Sequence, residues 1–234
     1  MALKPEMWPL ARSSRWLRFV QVGCALLLTL TLSGASSGAP SSLSWNFDVN
    51  APNTLPPDFE VGTLFDGRAA GEWRVVQTEK ANSAPHVLGQ LQGKGAEHAY
   101  KVVLVKGTDS SDLDLSVSFL AVEGKADMGG GLIWRATDDR NYYLVRANPL
   151  EQNLRIYRVV KGVRHMLHNY DTIIDVRKWH TVRVVTRGCN MQVVFDEKQA
   201  QELCDKTFWE GRIGLWTKSD AVTYFDDLRL NILD

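Results

Sequence analysis

Residues 113–119, LDLSVSF, place Leu113, Leu115, Val117 and Phe119 on one side of an extended chain and Asp114, Ser116 and Ser118 on the other. A period of two belongs to a strand with one face buried and one wet. Similar short runs recur down the chain: EWRVV, HVLGQLQ, YKVVLV, GGLIWR, NYYLVRA, NLRIYRVV, WHTVRVVTR, RIGLWT and AVTYFDDLRLNI. Turn chemistry separates them, as in KGT, EGKADMGG, TDDRN, NPLEQN, KGV, WEG and KSD. About a dozen short strands at spacings near ten residues, with no amphipathic helical stretch, predict an all-β antiparallel sandwich or barrel. Most of the eight tryptophans fall at strand positions, where packing is their ordinary use.

The first 39 residues follow a different plan. Lys4, Arg12, Arg15 and Arg18 precede an apolar run, VGCALLLTLTL, and then small residues, SGASSGAP. Basic, apolar and small in that order predict a secretory signal peptide cleaved after Ala35 or Ala39. The run is shorter than the roughly 20 residues of a membrane span, so no span is expected after cleavage. Cys24 is a poor lipid-attachment site, because Gln21 stands where an aliphatic residue is needed and most of the apolar run follows the cysteine. Residues 40–57 are rich in Ser, Pro and Asn and read as a linker, with SWNFDV inside it as a first short strand. Residues 58–234 then form the β-sandwich domain, with 44–50 and 221–231 as candidate partners at one edge. Cleavage removes four basic residues and one acidic residue, which moves the formal charge from 0 to −3. A mildly acidic exported chain is poorly suited to nucleic acid, whose phosphates need a basic face.

Export leaves Cys189 and Cys204 in an oxidising compartment. CNMQVVF and KQAQELC flank Asp196 and Glu197, and a two-residue hairpin turn there sets the cysteines opposite each other. Opposed Cα atoms lie about 4.5–5.5 Å apart, within disulfide range. The alternative is a pair of unlinked thiols on neighbouring strands.

The stretch GGGLIWRATDDRNYYLVRANPLEQNLRIYRV carries the candidate ligand site. On strict alternation Arg135 faces with Ile133, Tyr143 with Val145, and Arg155 with Tyr157. If these strands are neighbours, Arg135, Tyr143, Arg155 and Tyr157 form one aromatic and guanidinium patch. Aromatic rings cover sugar C–H faces and arginine reaches hydroxyls or carboxylates. The alternative is a solvated sheet face with no ligand. His165, His168 and His180 read as structural, and GGG at 129–131 as a tight turn or close strand approach. No cofactor is expected; Asp226 and Asp227 are the candidates for a structural calcium.

SWNFD, GEWRV, APHVLGQ, GGGLIWRATDDRNYYLVRANPLEQNLRIYRVV, KWHTVRVV and GRIGLWTKSDAVTYFDDLRL together resemble exported bacterial concanavalin A-like jelly-roll domains of the 3-keto-disaccharide hydrolase type. The resemblance covers residues 44–231. It implies a jelly-roll sandwich, a carbohydrate ligand and, in catalytic relatives, an acidic side chain in the trough beside the arginine. Arg135 matches that arginine, whereas Tyr143 and Val145 stand where the acid and amide of the next strand would fall. Glu97, Glu123 and Glu151 are the acids that a distant loop could bring instead. Three functions therefore stay open: a glycan-binding module, a hydrolase or lyase of 3-keto-glycosides, and a non-catalytic envelope interaction domain.

Overall fold

The computed structural model describes residues 41–94 and 99–233, so the expected signal peptide and Glu97 lie outside the described residues. All regular structure in the described residues is β. The first strands are β1 (Ser42–Trp45), β2 (Phe59–Val61), β3 (Trp73–Gln77), β4 (His86–Gln90) and β5 (Tyr100–Val105). The middle of the chain forms β6 (Leu113–Glu123), β7 (Gly130–Asp138), β8 (Asn141–Asn148), β9 (Asn153–Val160) and β10 (Val163–Asp171). The last are β11 (Trp179–Arg187), β12 (Asn190–Phe195), β13 (Lys198–Cys204), β14 (Arg212–Lys218) and β15 (Val222–Ile232).

Two antiparallel sheets face each other as a concanavalin A-like jelly-roll sandwich. One runs β13-β12-β11-β6-β15-β4-β3, with β1 continuing beside β4 along the far half of β15. This brings SWNFD beside YFDDLRL, with Trp45 opposite Leu228. The other sheet runs β10-β9-β8-β7-β14-β5-β2. Between them lies the main core. It includes Leu113, Leu115, Val117 and Phe119 of β6, Val182 and Val184 of β11, and Leu132, Trp134, Tyr143, Val145, Leu154 and Ile156 from the opposite sheet. The alternation of β6 thus aims its apolar side inward.

The β12–β13 hairpin turns at Asp196 and Glu197, whose positive φ values of 44° and 65° suit a tight two-residue turn. A bulge at Ala200 shifts the register, so Cys204 faces Asn190 rather than Cys189. The disulfide between Cys189 and Cys204 nevertheless forms, with a Cα–Cα distance of 4.8 Å. One extra residue moves a strand partner by a single step, which the side chains absorb.

Glycines let β7 fit. A Cβ on Gly130 would lie 2.6 Å from the Phe225 ring, and one on Gly131 would overlap the Val145 carbonyl. The GGG run is a close-approach device between strands.

Candidate functional site

Arg135, Tyr143, Arg155 and Tyr157 do not form one patch. At Arg135 the β7 register slips against both neighbours, and its φ is +50°. The bulge breaks strict alternation and turns the side chain toward the loop end of the eight-stranded sheet. There Nε donates to the Ser111 carbonyl (2.8 Å), one terminal nitrogen donates to the Phe208 carbonyl (3.2 Å), and the other to the Gly188 carbonyl (2.6 Å) and Asp112 (3.3 Å). The guanidinium is fully buried. Tyr143 points into the main core, stacked on Trp134, and its hydroxyl donates to Asp205 (2.6 Å) and accepts from the Thr207 and Phe208 amides. Arg135 and Tyr143 therefore meet around the 205–208 loop, as anchors of the scaffold. Tyr157 and Arg155 emerge on the opposite side of the sheet, away from the core.

That outward side of the seven-stranded sheet is where polar and aromatic groups converge. Its middle is a second apolar cluster of Val102, Leu104, Ile133, Tyr142, Leu144, Tyr157, Val159 and Trp216. Arg164 of β10 lies over it, with its guanidinium carbon 4.8 Å from the Tyr157 ring centre, 5.0 Å from Tyr100 and 5.6 Å from Trp216. β10 and β5 are five strands apart, about 24 Å along a flat sheet at the usual strand spacing. One arginine and one tyrosine side chain cannot bridge that distance. The sheet must curl until its outward face nearly closes, and the guanidinium seals the closure by cation–π contact.

Beside this seal sits a charged network. Arg146 grips Glu151 through two nitrogens (3.0 and 3.2 Å) and donates to the Asn153 side chain (2.6 Å). Arg155 reaches Glu151 Oε2 at 2.6 Å, the oxygen that Arg146 holds at 3.2 Å. Asp127 lies 3.4 Å from Lys218 and 3.9 Å from Arg146. Asn148 donates to both carboxylates, at 3.2 Å to Asp127 and 3.3 Å to Glu151. The two acids respond in opposite directions. Hydrogen bonding from Arg146 holds Glu151 down at about 2, whereas burial pushes Asp127 above the usual carboxylate range against the pull of Arg146 and Lys218. Sequence reasoning had named Glu151 among the acids a loop could deliver. It missed Asp127 and Arg164, since nothing in a linear pattern brings Gly124–Gly129, β10 and β14 to one place.

A cleft of about 280 Å³ opens next to the seal. Tyr100 belongs to both, and Phe65, Arg140 and Gly162 line the cleft with it. The 62–70 segment closes one side, held where Asp139 accepts from the Thr63 amide (2.6 Å) and hydroxyl (3.0 Å). Arg140 rests on Phe65 at 4.8 Å.

The remaining candidates are built into the scaffold. His180 contacts Asp196 (2.7 Å) and the Asp175 carbonyl (3.0 Å) while stacking on Phe195. Asp226 accepts from the Ser83 amide and hydroxyl, and Asp227 from Asn82. Asp112 caps the Gly188 amide at 2.8 Å as well as holding Arg135.

No family model matches the chain. Among known proteins it is similar to a levanase of Bacillus subtilis (strain 168), 22% identical over 141 residues, which is 59% of this chain and 20% of the levanase. The match thus spans about a fifth of that relative's length. Among solved structures the fold resembles the carbohydrate-binding module CBM66 from Bacillus subtilis, with a TM-score of 0.60, 19% identity, and 74% of this chain and 95% of that one covered. It also resembles a GH43 protein, BlXynB, from Bacillus licheniformis (TM-score 0.56, 12% identity, 81% of this chain and 39% of that one). A Crh5 transglycosylase in complex with NAG aligns with a TM-score of 0.55 at 11% identity, over 84% of this chain and 86% of the other. At such identities the likeness is one of fold, shared by binding modules and by enzymes.

Proposed function

We propose that this chain is an exported carbohydrate-binding domain whose ligand face is the outward side of the seven-stranded sheet. One observation carries the reading. Tyr100, Tyr157, Trp216 and Arg164 gather beside a cleft, on a fold like that of a carbohydrate-binding module. Aromatic rings flanked by hydrogen-bonding groups suit the mixed apolar and polar surface of a sugar. Arg155 and Tyr157 stay in this site as sequence alternation had grouped them, while Arg135 and Tyr143 support the scaffold. Export is supported by the leader pattern and by the Cys189–Cys204 bridge, which needs an oxidising compartment. A glycan array on the exported protein tests the reading. Binding is expected to at least one glycan and to weaken about tenfold in Tyr100→Ala, on the scale of one aromatic contact. An array with no binding refutes it.

A second reading, hydrolysis of 3-keto-glycosides or related sugars, is favoured by the Asp127 and Glu151 pair. Two nearby carboxyls whose acidities are pushed apart are the ordinary equipment of acid–base chemistry at a glycosidic bond. Release of free sugar from a 3-keto-disaccharide, abolished in Asp127→Asn, would establish it. A bound but uncleaved disaccharide leaves the domain a binder.

A further inference from the structure

We propose that the ligand is an acidic sugar, and that Arg164 and Tyr142 receive its carboxylate. This deepens the carbohydrate-binding reading and rests on it. The charged network beside the seal holds three cations, Arg146, Arg155 and Lys218, and two carboxylates, Asp127 and Glu151, with Arg164 at its border. Both carboxylates are already shared: Glu151 between Arg146 and Arg155, Asp127 between Lys218 and Arg146. Arg164 has no acidic partner within ion-pair distance among the described residues. Ring faces hold it, and Asp127 attracts it only from beyond ion-pair distance.

Three polar atoms are buried together at this seal, a terminal nitrogen of Arg164, the indole nitrogen of Trp216 and the Tyr142 hydroxyl, with no well-formed hydrogen bond to any group outside the cluster. Trp216 and Tyr142 are both fully buried, and the Trp216 indole N–H is directed at the Tyr142 oxygen, which leaves the Tyr142 proton and the Arg164 N–H unmatched, with Arg164 and the Asp139 carboxylate both near enough to act on the phenol. Guanidinium and indole N–H groups can only donate, and the phenol is the lone member able to accept. The cluster therefore offers more protons than acceptors. A buried donor left unpaired is destabilising, so the arrangement calls for an oxygen-rich anion. A carboxylate fits best, because its two oxygens match the planar fork of a guanidinium. The adjoining cleft, near the roughly 300 Å³ lower end of small-molecule sites, accommodates the rest of a sugar against Tyr100.

Titration calorimetry with matched oligosaccharides, galacturonate against galactose and glucuronate against glucose, tests this. The acidic member is expected to bind at least about tenfold tighter, the scale of one charge-assisted hydrogen bond, with the advantage shrinking as salt rises. Arg164→Gln should remove about 10- to 100-fold of uronate affinity. Tyr142→Phe, which deletes only the hydroxyl, should remove about threefold or more and decides the same question if R164Q fails to fold. Equal binding of both members overturns the carboxylate proposal and leaves the carbohydrate reading intact. Uronate binding that survives unchanged in a folded R164Q or Y142F protein overturns the assigned position. Binding of neither member, on calorimetry and array alike, brings down the carbohydrate reading itself.

Discussion

The two sheets treat their outward faces in opposite ways. Along β11 and β12 of the eight-stranded sheet, buried residues alternate with exposed or half-exposed ones, and Arg183 pairs with Asp114 at the surface through two hydrogen bonds of 2.7 and 2.6 Å. In the seven-stranded sheet, β5, β7, β8 and β14 are buried almost without interruption on both sides. The difference follows from curvature. A sheet that only twists leaves its outer face to water, whereas one that curls until β10 meets β5 covers that face itself. A face closed in this way can hold charged and polar groups at low dielectric, where they bind more selectively than on an open surface.

The largest expected effect lies where the two sheets are tied together. Arg135→Met removes a buried guanidinium and strips three loop carbonyls and Asp112 of their donor. A loss of about 3–5 kcal/mol in denaturant unfolding is expected. A loss below 1 kcal/mol would show that the loops hold without it.

The contrast between outer faces is sharpened by a pair of substitutions. Leu144→Ala, on the outward side of β8, should cost about 2–5 kcal/mol as a core truncation does. Arg183→Ala, on the outward side of β11, should cost about 0–1 kcal/mol as an exposed ion pair does. Similar costs at both sites would erase the distinction.

The smallest effect is in acid. Glu151 sits at about 2 instead of the ordinary 4.5, so its ionised form adds stability above pH 4.5 that is lost as the pH falls toward 2. Asp127, raised by burial, works in the other direction: its contribution is present in acid and lost as the pH rises through its folded value. Thermal unfolding between pH 4.5 and 2 should show a falling midpoint, and Glu151→Gln should flatten that fall.

Much of the scaffold was legible along the chain. The alternation in LDLSVSF placed Leu113 to Phe119 in the core, and the spacing of Cys189 and Cys204 about Asp196 and Glu197 foretold their bridge, even though Ala200 shifts the register. Alternation misled at Arg135, because one residue in a left-handed conformation changes which side a strand presents. It grouped Arg155 with Tyr157 correctly, since β9 runs without a break.

By itself, the sequence determined that this chain is all-β and antiparallel, and that unbroken strands such as β6 turn Leu113, Leu115, Val117 and Phe119 to the core. Period-two burial is a local property that each strand carries alone. Only the tertiary structure decided that Arg164 would meet Tyr100 from five strands away, and that Asp127 and Glu151 would share Arg146. Those meetings depend on the accumulated twist and curl of a whole sheet, a sum over many residue pairs that no single stretch encodes.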